Sequence, residues 1–115
     1  MATTWTTETI GDLTSVSTTK QATAAIAVAP NEVLSADVQV GSHPNDSITV
    51  GAEVSNDGTN WAEVQAVEIP AGDTYAHALG PFTFSPQVRF TAVASGSTDL
   101  PAVSFRAKSG PLNGA

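Results

Sequence analysis

No cysteine occurs among the 115 residues, so disulfides, thiolate metal sites and cysteine nucleophiles are excluded together. Positive charge is nearly as scarce. Four Lys and Arg stand against eleven Asp and Glu, a formal net charge of −7. Phosphate-backbone binding needs clustered bases, so nucleic acid is not an expected partner. Aromatic residues make up 6% and charged residues 13%, where about a quarter of an average chain is charged. That is too little charge for a disordered chain, and the composition lacks the Glu/Lys/Leu heptads of a coiled coil. No apolar run approaches the roughly eighteen residues of a membrane helix. The opening "MATTWTTETIGDLTSVSTTK" has neither a basic n-region nor an apolar h-region. The expectation is a soluble protein made in the cytoplasm, with no membrane partner.

What the chain does have is β-branched Thr, Val and Ile, punctuated by Gly and Pro, a composition that favours strands. Period-two alternation predicts several of them. Leu34, Ala36, Val38 and Val40 share one face of "VLSADVQV", and Ile48, Val50, Ala52 and Val54 one face of "SITVGAEVS". Val88, Phe90 and Ala92 do so in "QVRFTAV", and Val103, Phe105 and Ala107 in "AVSFRAK". One face dry and the other wet is the signature of an antiparallel sheet. The Ala-rich "TAAIAVA" at 23–29 is read as a further strand, because Pro30 cuts it too short for a stable helix. Turn clusters at 29–32, 41–46, 55–60, 70–73, 80–81 and 95–101 are spaced as in a small sandwich or barrel. The fold expected is all-β: an antiparallel sandwich, jelly-roll-like or immunoglobulin-like, of about seven to eight strands. Residues 1–20 read as an extended N-terminal arm or an irregular first strand, 21–109 as the sandwich domain, and 110–115 as an extended tail.

The most patterned stretch is "SNDGTNW" at 55–61. Asp57-Gly58 is a hairpin signal because Gly accepts the positive φ of a tight turn, and Asn56 and Asn60 tolerate the left-handed region. A calcium site could draw only on Asn56, Asp57, Asn60 and Glu63, whereas calcium takes six to eight oxygens. A third use is a ligand-gripping tip with Trp61 as a stacking platform. The hairpin reading leads, and no metal or cofactor is expected.

Elsewhere the titratable residues form no catalytic pattern. His77 fits a strand position in "TYAHAL", and His43 precedes a proline in a turn. No general acid–base pair stands out, and the chain reads as a non-enzyme without catalytic residues. Between Lys20 and Arg89 lie eight acids (Glu32, Asp37, Asp46, Glu53, Asp57, Glu63, Glu68, Asp73) and no base. They read as a solubilising surface, or else as a face matched to a basic partner.

The order "ITVGAEVSNDGTNWAEV", then "FSPQVRFTAVASGST", then "AVSFRAK" resembles small β-sandwich virion structural proteins of tailed phages, of the capsid-decoration kind. Ser55, Asp57, Gly58 and Trp61 match the hairpin of that pattern and Arg89 its later Arg, over residues 33–108. The resemblance implies a protein of the virion that binds the major capsid protein on the outside of the head, as a homo-oligomer with a trimer favoured. Trp5, Ile10, Leu13 and Val16 of the arm are then the expected apolar contacts to the partner. Discoidin-like carbohydrate-binding sandwiches share the Ser-x-Asp-Gly-x-x-Trp turn, so a carbohydrate-binding module of a tail or fibre is the rival. Their cysteines and aromatic-rich tip are missing here.

Overall fold

The computed structural model describes residues 6–28, 32–74, 77–83 and 87–111. They form β1 (Thr6–Leu13), β2 (Gln21–Ala22), β3 (Ile26–Ala27), β4 (Glu32–Val40), β5 (Ile48–Ser55), β6 (Ala62–Ile69), β7 (His77–Thr83), β8 (Gln87–Ala94) and β9 (Val103–Pro111). One sheet runs β1-β9-β4-β7; the other runs β2-β8-β5-β6, with β3 also on β8. Every pairing is antiparallel.

Taking β2 and β3 as one interrupted strand, the order obeys a simple rule. The first strand pairs with the last, the second with the last but one, β4 with β7, and β5 with β6. A long ribbon of paired strands has been rolled up, so that β9 meets β4 and β8 meets β5. This is a jelly roll, which decides between the two sandwich types that the sequence left open.

The alternating residues face inward as expected. Val38, Ile48, Val50, Ala52, Val88, Phe90, Ala92, Val103 and Phe105 are all fully buried. Large and small residues face each other across the ladders: Phe90 lies beside Ala52, and Phe105 beside Val38. Space left by the small residues takes the two phenylalanines. Their rings stack across the sheets at 5.4 Å between centroids and 18° between planes. Such a pair contributes about 0.5–1.5 kcal/mol beyond its buried area.

Five expectations are corrected or refined. Of the two readings offered for the N-terminal residues, an extended arm or an irregular first strand, residues 6–13 take the second: they are the edge strand β1, in register with β9 from Thr6↔Ser109 to Leu13↔Val103 with a shift between Thr9 and Gly11. The segment after β1 is also tied down, as Val16 N–H donates to Pro101 O and Ala94 N–H to Ser17 O. Leu13 and Val16, expected to meet a partner, belong to the core at 8% and 0% exposure. "TAAIAVA" contributes only the two-residue β3, and the residues preceding it are exposed except for Thr23. The outward face of β5 is not wet, since Gly51 and Glu53 are buried. As an inner strand between β6 and β8, β5 is roofed by its neighbours' side chains. Finally, strand β9 continues through Gly110 and Pro111, into the expected tail.

Two irregularities shape the edges. In β6, Val64 is the extra residue of a bulge between Ala52↔Gln65 and Glu53↔Glu63. In β7 the bulge falls at Gly80–Pro81, between Leu34↔Phe82 and Ala36↔Leu79. The Gly80 N–H donates to Gln65 Oε1 at 3.0 Å, a side chain of the opposite sheet, which ties the two edges together. Bulged edges resist unplanned strand addition.

Candidate functional site

The β5–β6 hairpin is built by its own side chains. Ser55 Oγ accepts from Gly58 N–H at 2.8 Å and donates to Asp57 Oδ1 at 3.1 Å. Asp57 Oδ1 also accepts from the N–H groups of Thr59 and Asn60, each at 2.8 Å, and Oδ2 from Asn60 Nδ2 at 2.8 Å. These donors, Asn60 N–H first and Thr59 N–H next, hold the Asp57 carboxyl well below its ordinary range. Gly58 has φ 77°, where a glycine is favoured. Both carboxylate oxygens point at donors inside the loop, which suits a turn better than a cation cage. Among the described residues, no group of three or more His, Asp or Glu is placed to hold a metal ion.

Trp61, half-buried at the foot of the hairpin, carries the Arg89 guanidinium 4.3 Å from its ring centroid. Arg89 in turn donates through Nε and Nη2, each at 2.7 Å, to Glu53 Oε1. Lys20 Nζ takes the other oxygen at 2.6 Å and stands 3.9 Å from Glu63. The acids Glu53 and Glu63 face each other directly across the β5–β6 ladder, an arrangement that is repulsive by itself. The two bases make it tolerable. Burial pushes the Glu53 carboxyl up, but the hydrogen bonds and charges of Lys20 and Arg89 outweigh it and hold the group below its ordinary value. The bases bounding the acidic middle of the sequence thus converge on one acid at its centre. The hairpin tryptophan and the later arginine, separate halves of a sequence pattern, are one packed unit.

A third constellation lies among the loops at 41–47, 70–74 and 95–102. Asp46 Oδ2 accepts from Thr98 and Asp99 N–H, each at 2.9 Å. Asp99 Oδ2 accepts in return from Asn45 N–H at 2.7 Å and Asp46 N–H at 2.8 Å. Each aspartate caps the other's loop. For Asp99, burial raises the carboxyl, while the Asn45 and Asp46 donors and the nearby His43 hold it below its usual range. His43 is buried at 1% exposure, its Nδ1 2.8 Å from Asp46 O and its Nε2 against Asp73 O. Beyond the clamp, Leu100 holds φ 47° and is 43% exposed. Left-handed backbone is costly for such a residue, and here it displays an apolar side chain.

No family model and no curated protein matches the chain. Solved structures do resemble it in fold. A protein of Bacillus endospore appendages, from a family of disulfide-linked pili, superposes with a TM-score of 0.60 at 12% identity, over 97% of this chain and 92% of that one. The PBSX exported protein XepA gives 0.59 at 17% identity, over 92% of this chain and 36% of that one. A chain of infectious bursal disease virus, Gx strain, gives 0.56 at 12% identity, over 97% and 33%. The chain therefore spans about a third of the length of the last two. At such identities the likeness is one of fold. The first belongs to a family of pili, the second is an exported protein and the third is viral.

Of the residues singled out by sequence, Ser55, Asp57, Gly58 and Trp61 come together at one hairpin. Trp5 lies outside the described residues, and Ile10 marks the register shift of β1. Tyr75, the other aromatic considered for stacking, also lies outside them. Sequence reasoning missed Glu53 and Asp46, which it counted as surface acids. An acid amid the apolar run "ITVGAEVS", with an arginine in the comparable run "QVRFTAV", was the available signal for the first. It also missed the exposed large apolar residues among those described, Val64 at 53% and Leu100 at 43%.

Proposed function

We propose that this chain is a non-enzymatic structural protein of a phage virion, a capsid decoration protein that binds the major capsid protein on the outside of the head as a homo-oligomer, with a trimer favoured. The jelly-roll strand order is the observation that carries the reading. It accompanies the sequence pattern of small virion sandwiches, and the same fold occurs in the exported and viral chains that superpose on it. The polar clusters support a structural role. Glu53, Asp57, Asp46 and Asp99 are each committed to hydrogen bonds within the fold, so these four acids serve the fold rather than stand poised as a general acid or base. With Leu13 and Val16 in the core, the apolar contacts to the capsid are left to Trp5 and Ile10, joined by the exposed Leu100 and Val64. Disulfides cannot link the subunits, because the chain has no cysteine.

The test is co-sedimentation of the purified chain with undecorated heads of the source phage, titrated to saturation, alongside light scattering for the subunit number. Saturation at a copy number commensurate with the icosahedral lattice is expected. Absence of binding refutes decoration and moves the chain to the tail or fibre apparatus.

A further inference from the structure

The outer face of the four-stranded sheet carries a shallow groove of about 220 Å³ lined by Asp37, Val38, Gln39, Ser104 and Arg106. The ladder sets the four polar residues as a block, Asp37 opposite Arg106 and Gln39 opposite Ser104. Asp37, Gln39 and Arg106 are exposed and Ser104 is half-buried. Asp12 of β1, also exposed, continues the second row beside Ser104.

The contrast with the other sheet is sharp. There Glu53 is shared by Lys20 and Arg89. Here none of the four groove side chains hydrogen-bonds or ion-pairs with another described residue. Arg106 is thus a base that the fold leaves unused, directly across the ladder from an acid that is also unused.

We propose that this groove binds a neutral saccharide, one ring at a time along a longer chain. The reasoning is from the donor and acceptor set. Arginine only donates, a carboxylate only accepts, and Gln and Ser do both. A hydroxyl lying between Asp37 and Arg106 donates to the first while accepting from the second, and vicinal hydroxyls repeat this along the row to Gln39 and Ser104. A simple anion is repelled by Asp37, a simple cation by Arg106. A peptide strand finds no free backbone, because β4 and β9 are the inner strands of their sheet. Nucleic acid is opposed by the net charge of −7. The volume is below the roughly 300–1,000 Å³ of clefts for drug-sized ligands, which suits a single ring lying on an open face. The site lies on the opposite sheet from Trp61 and the hairpin and is independent of whether the chain binds a capsid.

The test is nitrogen–proton correlation NMR of the full chain titrated with glucose, galactose, N-acetylglucosamine and N-acetylgalactosamine, with sodium acetate as an anion control. At least one sugar is expected to shift the Val38, Gln39, Ser104 and Arg106 amides and to saturate, with a Kd of about 1 mM or weaker. D37N and R106A, with spectra otherwise preserved, should each weaken it about tenfold or more. Three results overturn the proposal: no sugar shifts these amides, acetate shifts them equally, or the shifts fall at Asn60 and Trp61 instead. Capsid co-sedimentation by the two variants should stay as in the parent chain, which separates this site from the particle-binding reading.

Discussion

Replacing Glu53 by glutamine tests the charge cluster beneath the hairpin. Glutamine keeps the shape and one acceptor oxygen but removes the charge on which Lys20 and Arg89 converge, at 2.6 and 2.7 Å. Hydrogen bonds to charged groups contribute about 1.5–3 kcal/mol each and neutral ones about 1. Two such losses suggest as much as about 4 kcal/mol, but both cations are partly solvated, with side chains 45% and 31% exposed. Relief of the Glu53–Glu63 repulsion returns about 0.2–1 kcal/mol. The expected cost is about 2 kcal/mol, or roughly 8 °C in Tm for a domain of this size. The folded carboxyl lies below its ordinary value, so its contribution is present above that ordinary value, near pH 4.3, and is lost as pH falls through the lower folded one. Thermal unfolding of parent and E53Q across pH should show a gap at pH 7 that narrows progressively on acidification below about pH 4. Equal Tm values at pH 7, or a gap unchanged down to about pH 2, would refute the reasoning.

Phe105→Ala, which empties one half of the stacked pair between the sheets, should cost about 3–5 kcal/mol in urea unfolding; a cost below about 1 would mean that the sheets collapse onto the void. Asp57→Ala should leave the sandwich folded while the Thr59 and Asn60 amides exchange at least about tenfold faster, and added calcium should leave the parent's exchange unchanged. Leu100→Gly removes a left-handed strain of about 1–2 kcal/mol against a glycine entropy cost of about 0.5–1. Its Tm should hold or rise slightly while binding to phage heads weakens, and a loss of stability without loss of binding would reassign Leu100 to the fold.

The inward faces of the strands were legible because burial repeats every second residue, and Val38, Val50, Phe90 and Phe105 sit where alternation put them. The hairpin was legible because Asp57 and Gly58 carry their turn chemistry locally. Glu53 was not, because its burial depends on which strands flank β5, and no local pattern encodes that. Leu13 and Val16 were misread for the same reason: a Thr-rich segment of weak periodicity became an edge strand and a core plug only through pairing with β9 and the 95–102 loop. His43 and Asp46 needed loops from three parts of the chain to meet. The groove on β4 and β9 likewise exists only in register, since Asp37 and Arg106 lie far apart in the sequence.

The rolled ribbon also dictates an order of events in time. β9 lies between β1 and β4, so an inner strand of this sheet leaves the ribosome after β1 to β8. Until it emerges, β1 has no neighbour and the ring of Phe105 is not there to meet Phe90. The sheet β1-β9-β4-β7 cannot be completed before β9 is made. Folding dominated by such distant pairings is slow, on the order of milliseconds to seconds. The sandwich therefore closes only once its inner strand β9 is present to join β1 to β4.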